Sequence, residues 1–378
     1  MKFHPKLIGL TAMALLIGAC ATTQQVEQQS SLKQAYQGAF LIGTALGNAQ
    51  LMSPNSVTSN LVTQQFNALT PENDMKWERI HPNPDTFDFA AADKLVELAQ
   101  QHKMFVTGHT LLWHSQVPDW VFLDEQGNEV SREVLLARLK NHIDTVVGRY
   151  KGRIQSWDVV NEALNEDGSM RQSKWYKIIG EDMLERAFEY AHAADPNAQL
   201  FYNDYNLFNP EKRAGAVRIV QQLKAKDLRI DGVGMQGHYS LTHPDLQEVE
   251  NSIIAFAAAG VKVHVTELDV SVIPFPQGAE AGADVNQNFA LQEKLNPYRN
   301  GISDEASAQL SQMYADLFRI FIRHQDVIER VTFWGTDDGM SWRNNWPMQG
   351  RSDYPLLFDR NSQPKPAYYA VMALKQGK

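Results

Sequence analysis

Ile154-Gln155-Ser156-Trp157-Asp158-Val159-Val160-Asn161-Glu162 is a short β-branched and aromatic run that stops abruptly on polar residues. Such a run reads as a buried strand. It is followed by Trp175–Ala194, where Met183, Ala187 and Tyr190 fall at helical spacing. A second strand-like run then begins at Leu200 and ends on Asn203-Asp204-Tyr205-Asn206. Strand, helix, strand in this order implies a parallel pair joined by a helical crossover. The same alternation extends both ways along the chain. Further strand-like runs begin near Phe40, Phe66, Phe105, Val233, Val261 and Val331, and further helical segments include Ala90–His102, Arg132–Tyr150, Pro210–Lys226 and Ala306–His324. Eight such units predict an α/β fold closed into a single (β/α)8 TIM barrel. No glycine-rich phosphate loop follows the first strand, which argues against a dinucleotide-binding sheet.

No linker or repeat interrupts the chain after Gln34, so 34–378 is expected to be one barrel domain. It exceeds the ~250 residues of a bare barrel and therefore implies long βα loops. The stretch from Pro274 to about Gly301, rich in Pro, Gly and Asn, reads as one such loop after the seventh strand. The start of the chain is different. Lys2 and Lys6 precede an apolar run from Leu7 to Ile17, then Gly18 and Ala19, which reads as a signal peptide over 1–19. The chain has one cysteine, Cys20, so no internal disulfide holds the fold. Leu16-Ile17-Gly18-Ala19-Cys20 resembles a bacterial lipobox, which implies lipidation at Cys20, a membrane anchor and a place in the cell envelope, with Ala21 favouring the outer membrane. The polar, Gln-rich remainder of 20–33 reads as a flexible tether. A formal net charge of −9, from 35 basic and 44 acidic side chains, disfavours a nucleic-acid partner and fits a neutral polymer.

Polar and aromatic residues gather where seven of the strands end. These ends are Glu72–Trp77, Gly108–His114, Asn161-Glu162, Asn203–Asn206, Gln236–His238, Thr266–Asp269 and Trp334–Asp338, with Trp342 just beyond. In a (β/α)8 barrel all would converge on the active-site face. One polar strand end is explained by helix capping; seven are not. Glu162 and Glu267 each follow a strand that should be buried, where a carboxylate is costly unless paired or used. Three strands apart, they would face each other across the barrel mouth, an arrangement suited to glycoside hydrolysis by two carboxyl groups. His238 and Asp269 lie beside Glu267 in this layout and could keep it ionised. His109, His114, His238 and His264 lack the spacing of a metal site, and His264, three residues before Glu267, should turn away from it and pack. No metal or other cofactor is expected. No Gly-x-Ser-x-Gly elbow is present for a serine hydrolase.

Taken together, WDVVNEA (157–163) and VTELDV (265–270), supported in order by GTAL (43–46), TPENDMKWE (70–78), GHTLLWH (108–114), YNDYN (202–206), GMQGHY (234–239) and FWGTDDGMSW (333–342), resemble glycoside hydrolase family 10, the retaining endo-β-1,4-xylanases. The likeness runs from about Ala35 to Ala373. It implies that Glu162 is the general acid/base and Glu267 the nucleophile. It also implies that Glu72, Asn73, Lys76, His109, Trp113, Asn161, Gln236, His238, Trp334 and Trp342 bind xylose units of xylan or xylo-oligosaccharides, with Asp269 and Tyr205 in support. Trp346, Arg343 and Tyr205 are candidates to extend the cleft. A β-1,4-glucanase on the same pair, or a non-catalytic glycan-binding surface lipoprotein, remains an alternative reading.

Overall fold

The computed structural model describes residues 1–2, 31–52, 56–273, 296–346 and 349–376. Residues 3–19 of the expected signal peptide, Cys20 and most of the tether lie outside the described residues, as do 274–295 of the expected long loop. The packed body starts at Ser31. Ser31 caps the short helix Leu32–Ala35 through a capping box with Gln34, and Tyr36 donates to the Val371 carbonyl at 2.8 Å, joining the two ends of the domain. The barrel therefore begins three residues before the expected Gln34, because a polar segment conceals a capped helical turn.

Eight parallel staves form the core. They are β1 Leu41–Leu46, β2 Ala68–Pro71, β3 Phe105–Leu112, β4 Ser156–Asn161, β5 Gln199–Asp204, β6 Gly232–Met235, β7 Lys262–Ser271 and β8 Ile328–Phe333. A short strand, His238–Ser240, carries β6 on after a break at Gln236-Gly237 and pairs with the upper half of β7. Each stave pairs in parallel with the next, and β8 returns to β1 with Leu41 opposite Arg330 and Thr44 opposite Phe333. Among the described residues the eight staves close on themselves, so none of the eight is an edge strand.

Helices cover the outside for reasons visible in their sequences. Asp304–Arg323 buries Leu310, Met313, Tyr314, Leu317, Phe318 and Phe321, a stripe at i, i+3, i+4 spacing. Ser131, Asn209, Asp245 and Ser303 each accept a backbone N–H at a helix start, a cap worth about 1 kcal/mol. The expected helix Trp175–Ala194 is two helices, Lys174–Ile179 and Met183–Ala194. Gly180 takes φ +97° between them, a conformation closed to other residues, and its N–H caps the Tyr176 carbonyl.

Three register shifts interrupt the ladders near the site, between His109 and Leu112, Asp158 and Val160, and Val265 and Leu268. The last has a direct consequence. Thr266 donates to Asn203 Oδ1 at 2.6 Å while the next residue, Glu267, accepts from Asn203 Nδ2 at 2.9 Å. Simple alternation would send neighbours to opposite faces; the bulge lets both point inward. His264 packs as expected, but on the inner side, stacked at 3.9 Å on Phe201 and beside the buried Arg330.

Candidate active site

At the C-terminal ends of the staves the barrel opens into a cavity of about 280 Å³. Glu267 stands at its floor. It accepts from Asn203 Nδ2 at 2.9 Å and lies 3.2 Å from His238 Nε2. The other His238 nitrogen, Nδ1, is 3.0 Å from Asp269 Oδ1. Asp269 is fully buried and also accepts from Trp342 Nε1 and Arg343 Nε, both at 2.8 Å. This sets the charges. Burial pushes the Asp269 carboxyl up, but Arg343 and His238 outweigh it and hold the group down at about 2. Burial likewise disfavours a charged His238, yet Asp269 and Glu267 raise it to about 9. Burial also works against ionised Glu267, and His238, His109 and Lys76 together bring its pKa below the usual carboxylate range. Glu267 is therefore an anion at neutral pH, aimed by a buried amide and a cationic imidazole.

Glu162 is held differently. Its Oε2 accepts from Trp113 Nε1 and its Oε1 from Gln236 Nε2, both at 2.9 Å. Its backbone has φ +56°, a left-handed conformation costing a non-glycine residue roughly 1–3 kcal/mol. The surroundings maintain it: the Glu162 N–H donates to the Asn203 carbonyl at 2.9 Å, and Arg171 Nε donates to the Glu162 carbonyl at 3.1 Å. The turn directs the side chain over the cavity instead of along the strand. The Asn161 and Asn203 amides meet at 2.9 Å, which links the Glu162 side to the Glu267 side through contiguous polar groups.

The opposite wall comes from the end of β2. Lys76 Nζ donates to Asn73 Oδ1 at 2.9 Å and Gln116 Oε1 at 3.0 Å, and lies 4.8 Å from the centre of the Trp113 ring. Burial lowers the Lys76 pKa, opposed by Glu267, Glu72 and Glu162. Burial raises that of Glu72, reinforced by Asp74 and Glu267 and opposed by Lys76 and Asn73. His109 is fixed by Asp158 Oδ2 at 2.9 Å and meets Trp334 edge-on at 5.4 Å. Trp342 and Trp346, 5.0 Å apart, form an aromatic rim. The cavity thus offers hydroxyl partners on one side and flat apolar faces on the other.

The cavity lining includes Glu72, Asn73, Lys76, His109, Trp113, Asn161, Glu162, Gln236, His238, Glu267, Trp334 and Trp342. Gln116 and Trp346 complete it. Of the three residues read as cleft extensions, only Trp346 lies in the wall. Arg343 is buried against Asp269, and Tyr205 lies beneath the Glu162 turn, its hydroxyl accepting from Arg171 at 2.9 Å. Gln116 carries no strand-end signal, since it lies four residues past β3 in a loop with φ +49°. Asn203 ends a strand visibly enough, but its bond to Glu267 depends on the bulge in β7.

A model of glycosyl hydrolase family 10 matches residues 31–374. The chain belongs to glycosyl hydrolase family 10. Its family 10 relatives include the endo-1,4-beta-xylanase A of Xylanibacter ruminicola, 47% identical over 97% of both chains. A GH10 endoxylanase retrieved from sugarcane soil metagenome superposes with a TM-score of 0.87 at 46% identity, covering 92% of this chain and all of the other. A mutant structure in complex with xylotriose superposes at 0.81 with 37% identity, over 90% of this chain and 99% of that one. The closed eight-stave barrel described above is the family 10 fold, and the protein is a glycoside hydrolase.

Proposed function

We propose that this protein is a retaining endo-1,4-β-xylanase, acting on internal bonds of xylan through Glu162 as acid/base and Glu267 as nucleophile. The observation that carries the reading is the pairing of two differently held carboxyl groups. Glu267 is kept anionic by His238, His109 and Lys76 and aimed by Asn203, while Glu162 stands over the cavity between Trp113 and Gln236. In the first step the Glu267 carboxylate attacks the anomeric carbon as Glu162 gives its proton to the departing glycosidic oxygen. The C–O bond breaks and a glycosyl ester on Glu267 remains. Glu162, now a carboxylate, then takes a proton from water as that water attacks the same carbon and releases Glu267. Two displacements retain the anomeric configuration.

Xylan is favoured over a glucan by the fixed Trp342. Its indole N–H is tied to Asp269, and its ring lies between His238 and Trp346, each with ring centres 5.0 Å away. A ring so held cannot swing aside for the hydroxymethyl group that glucose carries and xylose lacks. The named xylanases among the relatives support the same choice. We expect reducing sugars to be released from xylan far faster than from carboxymethyl cellulose. A preference for cellulose would sink the xylan assignment, and no release from either would leave only a glycan-binding protein.

The start of the chain supports secretion with a lipid anchor at Cys20, which would keep the enzyme at the cell envelope beside a polymer too large to enter. Among the described residues no helix is long and apolar enough to cross a membrane. Cys20→Ser should move the protein from the membrane fraction to the soluble one; continued sedimentation with membranes would refute lipidation.

A further inference from the structure

Lys212 stands where helix formation gives no reason for a cation. It is the third residue of the helix Pro210–Ala225, at the positive end of that helix's dipole, and it is fully buried. Its ammonium is compensated from three sides. Asp204 Oδ1 and Glu166 Oε1 each lie at 3.0 Å, and the Tyr205 ring centre at 3.3 Å. Asp204 is the last residue of β5 and Tyr205 follows it, whereas Glu166 lies in the connection after β4, four residues beyond Glu162. One buried cation therefore fastens two adjacent βα connections.

The fastened segment is the one that begins at the strained turn of Glu162. Its far end, Arg171, donates back to the Glu162 carbonyl and to the Tyr205 hydroxyl. Its middle lies flat on the start of the helix. Gly168, at φ +74°, comes so near that a Cβ there would sit 2.2 Å from the Glu211 carbonyl oxygen. Asn206 and Asn209 add hydrogen bonds to the Glu166 side chain and carbonyl.

We propose that Lys212 is a positioning residue for the acid/base: by binding Glu166 and Asp204 it holds segment 163–171 against the helix and keeps Glu162 in its left-handed turn. This rests on the reading of Glu162 as the acid/base. Without the ammonium, the buried Asp204 carboxyl and the partly exposed Glu166 carboxyl face each other with no lysine between them. The strap lifts, and the Glu162 carboxyl leaves Trp113 and Gln236. Glu267 keeps both partners, although Asn203 precedes Asp204 on β5, because the Asn203 amide is also held by Thr266 and His238 by Asp269.

The test is Lys212→Met, assayed on xylobiosides whose leaving groups run from dinitrophenol to simple alcohols. General acid catalysis contributes about 10²–10⁴-fold, so a misplaced acid should cost roughly tenfold or more on poor leaving groups beyond any loss on dinitrophenol. An activated 2-fluoro-xylobioside should still label Glu267 to completion. Equal losses across all leaving groups, or no loss, would overturn the proposal, because a purely structural role does not discriminate between them. Should Lys212→Met fail to fold, Glu166→Gln removes the partly exposed partner alone and must show the same discrimination in weaker form; a flat response there overturns the proposal as well. Glu162→Ala serves as the reference. If it shows no leaving-group dependence, the acid/base reading has failed and the proposal falls with it. If it does and Lys212→Met does not, the positioning role alone is wrong.

Discussion

Glu267→Ala is expected to lower kcat on xylan by on the order of 10⁶, the scale reached when a covalent nucleophile is removed. The loss is large because no neighbour can replace the carboxylate. Asn203 and His238 are donors already aimed at Glu267, and Asp269 is held by His238, Trp342 and Arg343. Added azide should occupy the vacated space and attack the anomeric carbon of an activated aryl xylobioside. That is a single displacement, so the glycosyl azide should carry inverted configuration. A retained azide product would mean that another group on the protein formed the covalent intermediate. The pH dependence follows from the same network. As the proposed nucleophile, Glu267 must be ionised to attack, and its pKa lies below the usual carboxylate range. Activity of the wild type should therefore persist on acidification past the ~4.3 of an ordinary glutamate, as far as this group decides it. As far as His238 decides it, activity should weaken on the alkaline side near pH 9, where Glu267 loses a cationic partner.

The barrel was legible because its eight staves are apolar runs, seven of them closed by polar or aromatic residues, and because the order of strands and helices leaves few topologies. Local geometry set the limits of that reading. The break at Gly180 lies inside a pattern of apolar residues that is continuous across it, so periodicity alone joins the two helices. The helix Leu32–Ala35 is too short for any periodicity and is held by Ser31, Gln34 and distant contacts. The bulge in β7 leaves no mark in Val-Thr-Glu-Leu-Asp-Val, yet it decides that Thr266 and Glu267 both face Asn203.

At the site, residues in the polar and aromatic strings that close the strands were readable, and some that act from outside those strings were not. Glu162, Glu267, His238 and Trp334 announce themselves as polar or aromatic closures of buried runs. Gln116 and Lys212 do not. One lies in a loop and the other in the first turn of a helix, where a lysine ordinarily reads as a solvated surface residue. Tyr205 shows the converse. Its place in YNDYN suggested the cleft, but the Lys212 ammonium against its ring and Arg171 on its hydroxyl keep it beneath the Glu162 turn.

Glu162→Ala should separate the two steps of the reaction. For xylan, whose leaving group is a sugar alcohol, loss of the acid should cost about 10²–10⁴-fold in kcat/KM. For a dinitrophenyl xylobioside, which leaves without protonation, the first step should hardly change. The second step still lacks its base, so glycosyl-enzyme should accumulate and appear as a burst followed by slow turnover. Azide needs no base and should relieve this second step. The intermediate on Glu267 has already inverted the centre once, so the azide product should have retained configuration, opposite to that from Glu267→Ala. The fold should tolerate the change at moderate cost. Trp113 Nε1 and Gln236 Nε2 each lose the Glu162 carboxyl as acceptor, but both residues line the open cavity, where water can replace it. Equal losses on xylan and on the dinitrophenyl substrate, or an inverted azide product, would remove Glu162 from the acid/base role and leave its strained turn without a catalytic reason.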